Sequence, residues 1–215
     1  MPYKNLILDF DGTLADTQNS ILETMKLVGS HFNISDVDES LIKGLIGLPL
    51  KTTFEKALGL DETLLAEATH FYRSHYNQVA YETIDLFEGV KETLTMLHQQ
   101  GIGLTVASSK GRESLVKILQ KHQLDQLFAF IGGEEDANHK KPAPDIVNLI
   151  VNKFGWAREG CLVVGDTIFD IEMGQRAGVP TCGVTYGNNS YEQLKSQNPS
   201  HIIDTFTELH SVLRA

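Results

Sequence analysis

The chain has 215 residues, 41% of them hydrophobic, with 28 acidic against 18 basic side chains and a formal charge of −10. That length fits one large domain, or one domain with a smaller insert, and the acidic balance without Lys/Arg runs argues against nucleic-acid binding. With no run of about 18 apolar residues and no signal-peptide core after MPYK, the expectation is a cytoplasmic protein with no membrane partner.

The first element is Leu6-Ile7-Leu8, a short continuous apolar run that suits a strand buried on both faces of a parallel sheet. It ends in Asp9 and Asp11, followed at once by Gly12 and Thr13. Residues 18–83 then carry helical periodicity and no convincing strand. SILETMKLVGSHF, LKTTFEKALGL and DETLLAEATHFYRSHYNQVAYE read as amphipathic helices, the last one capped by Asp61. The chain returns at LFEGV (86–90) into a helix ending near Gly101. Further strands are expected at 103–108, 128–133, 161–166 and 181–186, and more weakly at 201–204. Between them Leu115, Ile118 and Leu119 share one helical side, PDIVNLIVNKFG stops at Gly155, and DIEMGQRAG is followed by Pro180. Strands alternating with helices predict an α/β fold, a doubly wound parallel sheet spanning 1–15 and 84–215, with a helical insert at 16–83. Cys161 and Cys182 lie in strand-like runs and read as buried thiols; no Cys/His spacing points to zinc.

In an open parallel sheet, ligands bind beyond the carboxyl ends of the strands. Asp9 and Asp11 lie there, as do Ser108-Ser109-Lys110, the loop EEDANHKKPAPD, and Asp166 with Asp170 one turn later. Carboxylates converging at low dielectric repel, and a hard divalent cation such as Mg²⁺ relieves them through oxygen ligands. Asp166 and Asp170, four apart, are expected to face the same way at a helix start. Ser108, Lys141 and the loop N–H groups near Gly12 and Ser109 are then placed to hold phosphoryl oxygens.

These segments resemble the four motifs of the haloacid dehalogenase superfamily of phosphotransferases: DFDGTLADT, VASSK, KKPAPD and VVGDTIFD, in order and at normal spacing. The resemblance implies a Rossmann-like core with a helical cap, and the cap segment LIGLPLKTTFEKALGL is similar to phosphoglycolate phosphatase-like members. It implies Asp9 as nucleophile, forming an aspartyl-phosphate, and Asp11 as general acid and base. It implies Mg²⁺ on Asp9, the Asp11 backbone carbonyl and Asp166, with Asp170 one shell out, and a phosphoryl group held by Ser108 and Lys141. Lys43, Lys51 and Arg73 are the cap cations that could meet a substrate anion. Asp11 argues against carbon–halogen cleavage, whose enzymes lack it. The expected activity is hydrolysis of a small phosphorylated metabolite, a phosphoglycolate-like phosphomonoester. Inorganic pyrophosphatase, a β-phosphoglucomutase-like mutase and an idle binding module are the alternatives. Monomer or homodimer is the expected assembly.

Overall fold

The structure, a computed structural model, describes residues 2–214, without the side chains of 79–82; residues 1 and 215 of the expected core ranges lie outside it. Among the described residues, six strands form one parallel sheet: β1 (Asn5–Leu8), β4 (Gly103–Ala107), β5 (Phe130–Gly132), β6 (Cys161–Gly165), β7 (Thr181–Val184) and β8 (His201–Ile203). The order across the sheet is β5-β4-β1-β6-β7-β8, which puts β1 at the centre. Side chains alternate across it: Leu6 and Leu8 join one apolar cluster and Ile7 joins the other. Each of these three is fully buried, which stabilises the fold by about 1.5–3 kcal/mol per side chain.

Helices cover both faces, as parallel strands require. α5 (Val90–Gln99) and α6 (Arg112–Lys121) supply Leu94, Leu97, Leu115 and Leu119 to the cluster of Leu6 and Leu8. α7 (Asp145–Phe154) and α8 (Ile168–Arg176) supply Ile146, Ile150 and Met173 to the cluster of Ile7. α9 (Tyr191–Ser196) and α10 (Leu209–Arg214) complete the chain. None of the described helices is long and apolar enough to cross a membrane.

The helical stretch leaves and re-enters through two short strands, β2 (Ala15–Asp16) and β3 (Asp85–Leu86), which pair antiparallel with each other. Between them lie α1 (Gln18–His31), α2 (Glu39–Leu45), α3 (Leu50–Leu58) and α4 (Leu65–Thr83). Asp38 caps α2 by accepting from the Leu41 N–H at 3.0 Å, and Gly59 ends α3 in the left-handed conformation at φ 63°. Asp61 does not cap α4 directly. Its carboxylate accepts from the Thr63 N–H at 2.9 Å and closes a turn that runs into the helix at Leu65. α4 packs on α1 and α3 through Phe54, Ala68 and Tyr72, and also touches α6 in the sheet layer.

Candidate active site

Register explains why distant segments converge. Leu8 pairs with Val106 of β4 and with Val164 of β6, so the three central strands finish level. The Asp9 N–H donates to the Val164 carbonyl at 2.9 Å, which fixes its side chain beside the strand ends that deliver Ser108 and Asp166. Lys141 reaches in from the loop before α7, and its ammonium donates to Asp9 Oδ1 and Asp170 Oδ1, each at 2.6 Å. All three side chains are almost fully buried.

Carboxylate oxygens of Asp9, Asp166 and Asp170 lie within 4.8 Å of one another. Burial, then Asp170, pushes the Asp9 carboxyl well above the ordinary aspartate value, against the pull of Lys141. Burial and Asp170 also push Asp166 up to about 7, although three hydrogen bonds favour its charged form. Those bonds come from the Asn188 N–H and Nδ2, both 2.7 Å from Oδ2, and from Thr13 Oγ1 at 3.1 Å from Oδ1. Burial opposes the Lys141 charge, but Asp170 and Asp9 outweigh it and hold its pKa above the usual lysine value. Asp9 and Asp170 thus share one buried ammonium with Asp166 a third buried acid beside them, and Asp9 Oδ2 is buried without a hydrogen-bond partner. This all-oxygen donor set, short of positive charge, fits a hard divalent cation.

Several sequence expectations are revised. Asp166 and Asp170 do not share a helix face: Asp166 sits at the end of β6, and Asp170 lies in the first turn of α8. There Asp170 Oδ2 accepts from the Thr167 N–H (3.1 Å) and hydroxyl (2.7 Å), so both of its oxygens are engaged. The Gly12 N–H does not face a phosphoryl site, because it donates to the Ala15 carbonyl at 2.9 Å. Gly12 matters sterically: at φ +79°, a Cβ there would lie 2.2 Å from Asp166 Oδ2. Ser108 is buried and its hydroxyl accepts from the Lys110 N–H at 3.1 Å, and the Ser109 hydroxyl donates to the Gly47 carbonyl at 2.7 Å. Lys43 and Lys51 are exposed and do not border the site. Arg73 does border it, already paired with Glu134.

Over Asp9, Asp11 and Ser108 lies a cavity of about 150 Å³, roofed by α1, α4 and the α2–α3 loop. Lys110 lines it and Asn188 holds Asp166 nearby, and sequence reasoning gave neither a role. Lys110 is nearly buried, with its ammonium 3.1 Å from Asp11 Oδ1 in ion-pair range but not aligned for a hydrogen bond. It donates to the Tyr76 hydroxyl at 2.9 Å and lies 4.1 Å from that ring's centre. Asn188 follows the end of β7, so the strand-end rule that found the aspartates would have found it too.

A model of the haloacid dehalogenase-like hydrolase family matches residues 6–184. A protein named Probable phosphatase IndB, from Dickeya dadantii, is 33% identical, with 97% of this chain and 94% of that protein covered. A phosphoglycolate phosphatase of Aliivibrio fischeri is 30% identical, over 98% and 96% of the two chains. The crystal structure of a predicted phosphatase from Clostridium acetobutylicum superimposes with a TM-score of 0.90 at 28% identity, covering all of both chains. The chain belongs to the haloacid dehalogenase-like hydrolase family, among its phosphatases.

Proposed function

We propose that the protein is a Mg²⁺-dependent phosphatase that hydrolyses a small phosphorylated metabolite through an aspartyl-phosphate on Asp9. The observation that carries this reading is the buried Asp9 carboxylate. One of its oxygens is held by Lys141 and the other has no partner, at the point where three strand ends meet a cavity. Asp9 attacks phosphorus while the bond to the leaving oxygen breaks. The Asp11 carboxyl, which lines the cavity, gives its proton to that oxygen and releases the alcohol. Asp11, now a carboxylate, takes a proton from water, whose oxygen attacks phosphorus and frees Asp9 and phosphate.

Lys141 and Ser108 hold the phosphoryl oxygens, and Lys141 offsets charge on Asp9. Asp9, the Asp11 carbonyl and Asp166 would hold Mg²⁺, with Asp170 behind them, and the ion would neutralise phosphoryl charge. Residues 16–83 act as a cap that keeps bulk water from the site. Ser109 with Gly47, Lys110 with Tyr76 and Arg73 with Glu134 tie it to the core.

The test is phosphate release from p-nitrophenyl phosphate with Mg²⁺ and with EDTA, for the wild type and Asp9→Asn. Wild type should turn over only with metal, and Asp9→Asn should fall to background with an unchanged circular dichroism spectrum. Near-wild-type activity in Asp9→Asn removes the nucleophile assignment. No release across a metal and pH scan restores the idle binding module.

A further inference from the structure

On the side facing Asp9 the cavity presents a mostly apolar surface, from Ile21 and Met25 of α1, Ile46 and Leu48 of the α2–α3 loop, and Tyr72 and Tyr76 of α4, with polar side chains such as Asn77 and Ser114 among them. Tyr72 and Tyr76 stack at 5.3 Å, with 13° between their planes. Ile21 and Leu48 are only partly buried, which leaves apolar surface facing the cavity. At about 150 Å³ its size suits a body as large as benzene.

Its charges are spoken for. The cations on the lining are Arg73, paired with Glu134, and Lys110, held between Asp11 and Tyr76. Glu135, which accepts from the Arg112 N–H, adds a further acid at the same lining, whereas Glu113 is exposed and paired with Lys117. A second anion on the leaving group would enter a site with more carboxylates than cations and give up its water without a partner.

Resting on the phosphatase reading above, we propose that the alcohol released from phosphate is uncharged and carries an apolar or aromatic body that fills this cavity. Esters whose leaving group bears a carboxylate or phosphate are selected against. The specificity of the site is therefore set by the apolar residues of α1, α4 and the α2–α3 loop. Nucleosides and simple alkyl or aryl alcohols share this chemistry, and a substrate panel separates them.

The decisive experiment measures binding of non-hydrolysable phosphonates to the wild-type protein with Mg²⁺, by calorimetry. From methyl- to butylphosphonate, affinity should rise by about three- to fourfold per methylene, and 3-phosphonopropionate, of matching length but charged at its end, should bind at least about tenfold more weakly than butylphosphonate. Equal or tighter binding of 3-phosphonopropionate overturns the proposal. Leu48→Ala should lower the butyl-to-methyl affinity ratio by about threefold, and an unchanged ratio counts against the cavity as the seat of the leaving group. A parallel turnover panel of butyl, phenyl and nucleoside 5′-monophosphates against phosphoglycolate keeps the two readings apart. Preferred turnover of phosphoglycolate overturns the apolar leaving group and leaves the phosphatase intact. The predicted phosphonate ranking without any turnover overturns the phosphatase and leaves the cavity's preference standing.

Discussion

Lys141→Met removes the one ammonium shared by Asp9 and Asp170, keeping chain length and apolar stem. In the wild type the ammonium sits 2.6 Å from both carboxylates, and all three side chains are almost fully buried. Stripping one partner from such a set leaves uncompensated buried charge and costs about 3–5 kcal/mol. For a domain of this size that corresponds to a fall in Tm of about 6–20 °C in EDTA at pH 7.5. The sign of the pH dependence follows from the acids. Asp9 already has a raised pKa, and losing Lys141 raises it further. An acid whose folded pKa lies above its unfolded value loses stability as pH rises between the two, so the deficit should be smaller at pH 5 than at pH 7.5. Mg²⁺ should restore part of the Tm, while turnover stays down by about 10²–10³-fold because a preorganised donor to the phosphoryl oxygens is gone. Thermal unfolding by circular dichroism in EDTA and in Mg²⁺, at both pH values, reads all of this. A fall in EDTA of less than roughly 2 °C at pH 7.5, or the same fall at pH 5, refutes the claim that Lys141 holds buried carboxylates together.

The remaining predictions concern metal, steric fit and closure. Asp166 is held up to about 7 without metal, so Mg²⁺ binding in weak buffer at pH 6.5 should release protons and weaken further as pH falls; an indicator-dye titration with no proton release would contradict this. Gly12→Ala places a methyl group 2.2 Å from Asp166 Oδ2 at a positive φ, and should weaken Mg²⁺ by about 10–100-fold in an activity titration. Unchanged Mg²⁺ dependence would mean that the loop relaxes freely. Ser109→Ala removes the 2.7 Å bond to the Gly47 carbonyl, and should raise KM by about three- to tenfold with little change in Tm. An unaltered KM would separate that bond from cap closure.

The α/β fold and the sheet edge where the carboxylates gather were legible because both depend on local pattern. Continuous apolar runs mark strands buried on both faces, and a polar residue that ends such a run must sit at the sheet edge. Asp9, Ser108 and Asp166 were found in this way, and Lys141 with them through its KP step. What failed depended on how elements rotate against one another. Nothing in SSK says that Lys110 turns inward, because its partners Asp11 and Tyr76 come from other elements. Lys43 and Lys51 were credible cations until α2 and α3 turned them to solvent. Gly12 was read as a backbone donor, but the turn after β1 uses its N–H internally, and the missing Cβ is what makes room for Asp166. Spacing alone put Asp166 and Asp170 on one helix face, but α8 begins only at Ile168, after Asp166.

The antiparallel ribbon of β2 and β3 also bears on how such a chain can change over generations. Departure and return lie side by side, about 5 Å apart across the pair. To the sheet, everything between Asp16 and Asp85 is a hairpin loop, and the cost of closing that loop grows only with the logarithm of its length. Residues on the far side of the ribbon can therefore be lengthened, shortened or swapped without shifting the register that holds Asp9 against Val164. On the reading proposed above, the residues that roof the cavity and those that carry the phosphoryl group lie on opposite sides of a two-residue doorway, free to be inherited separately.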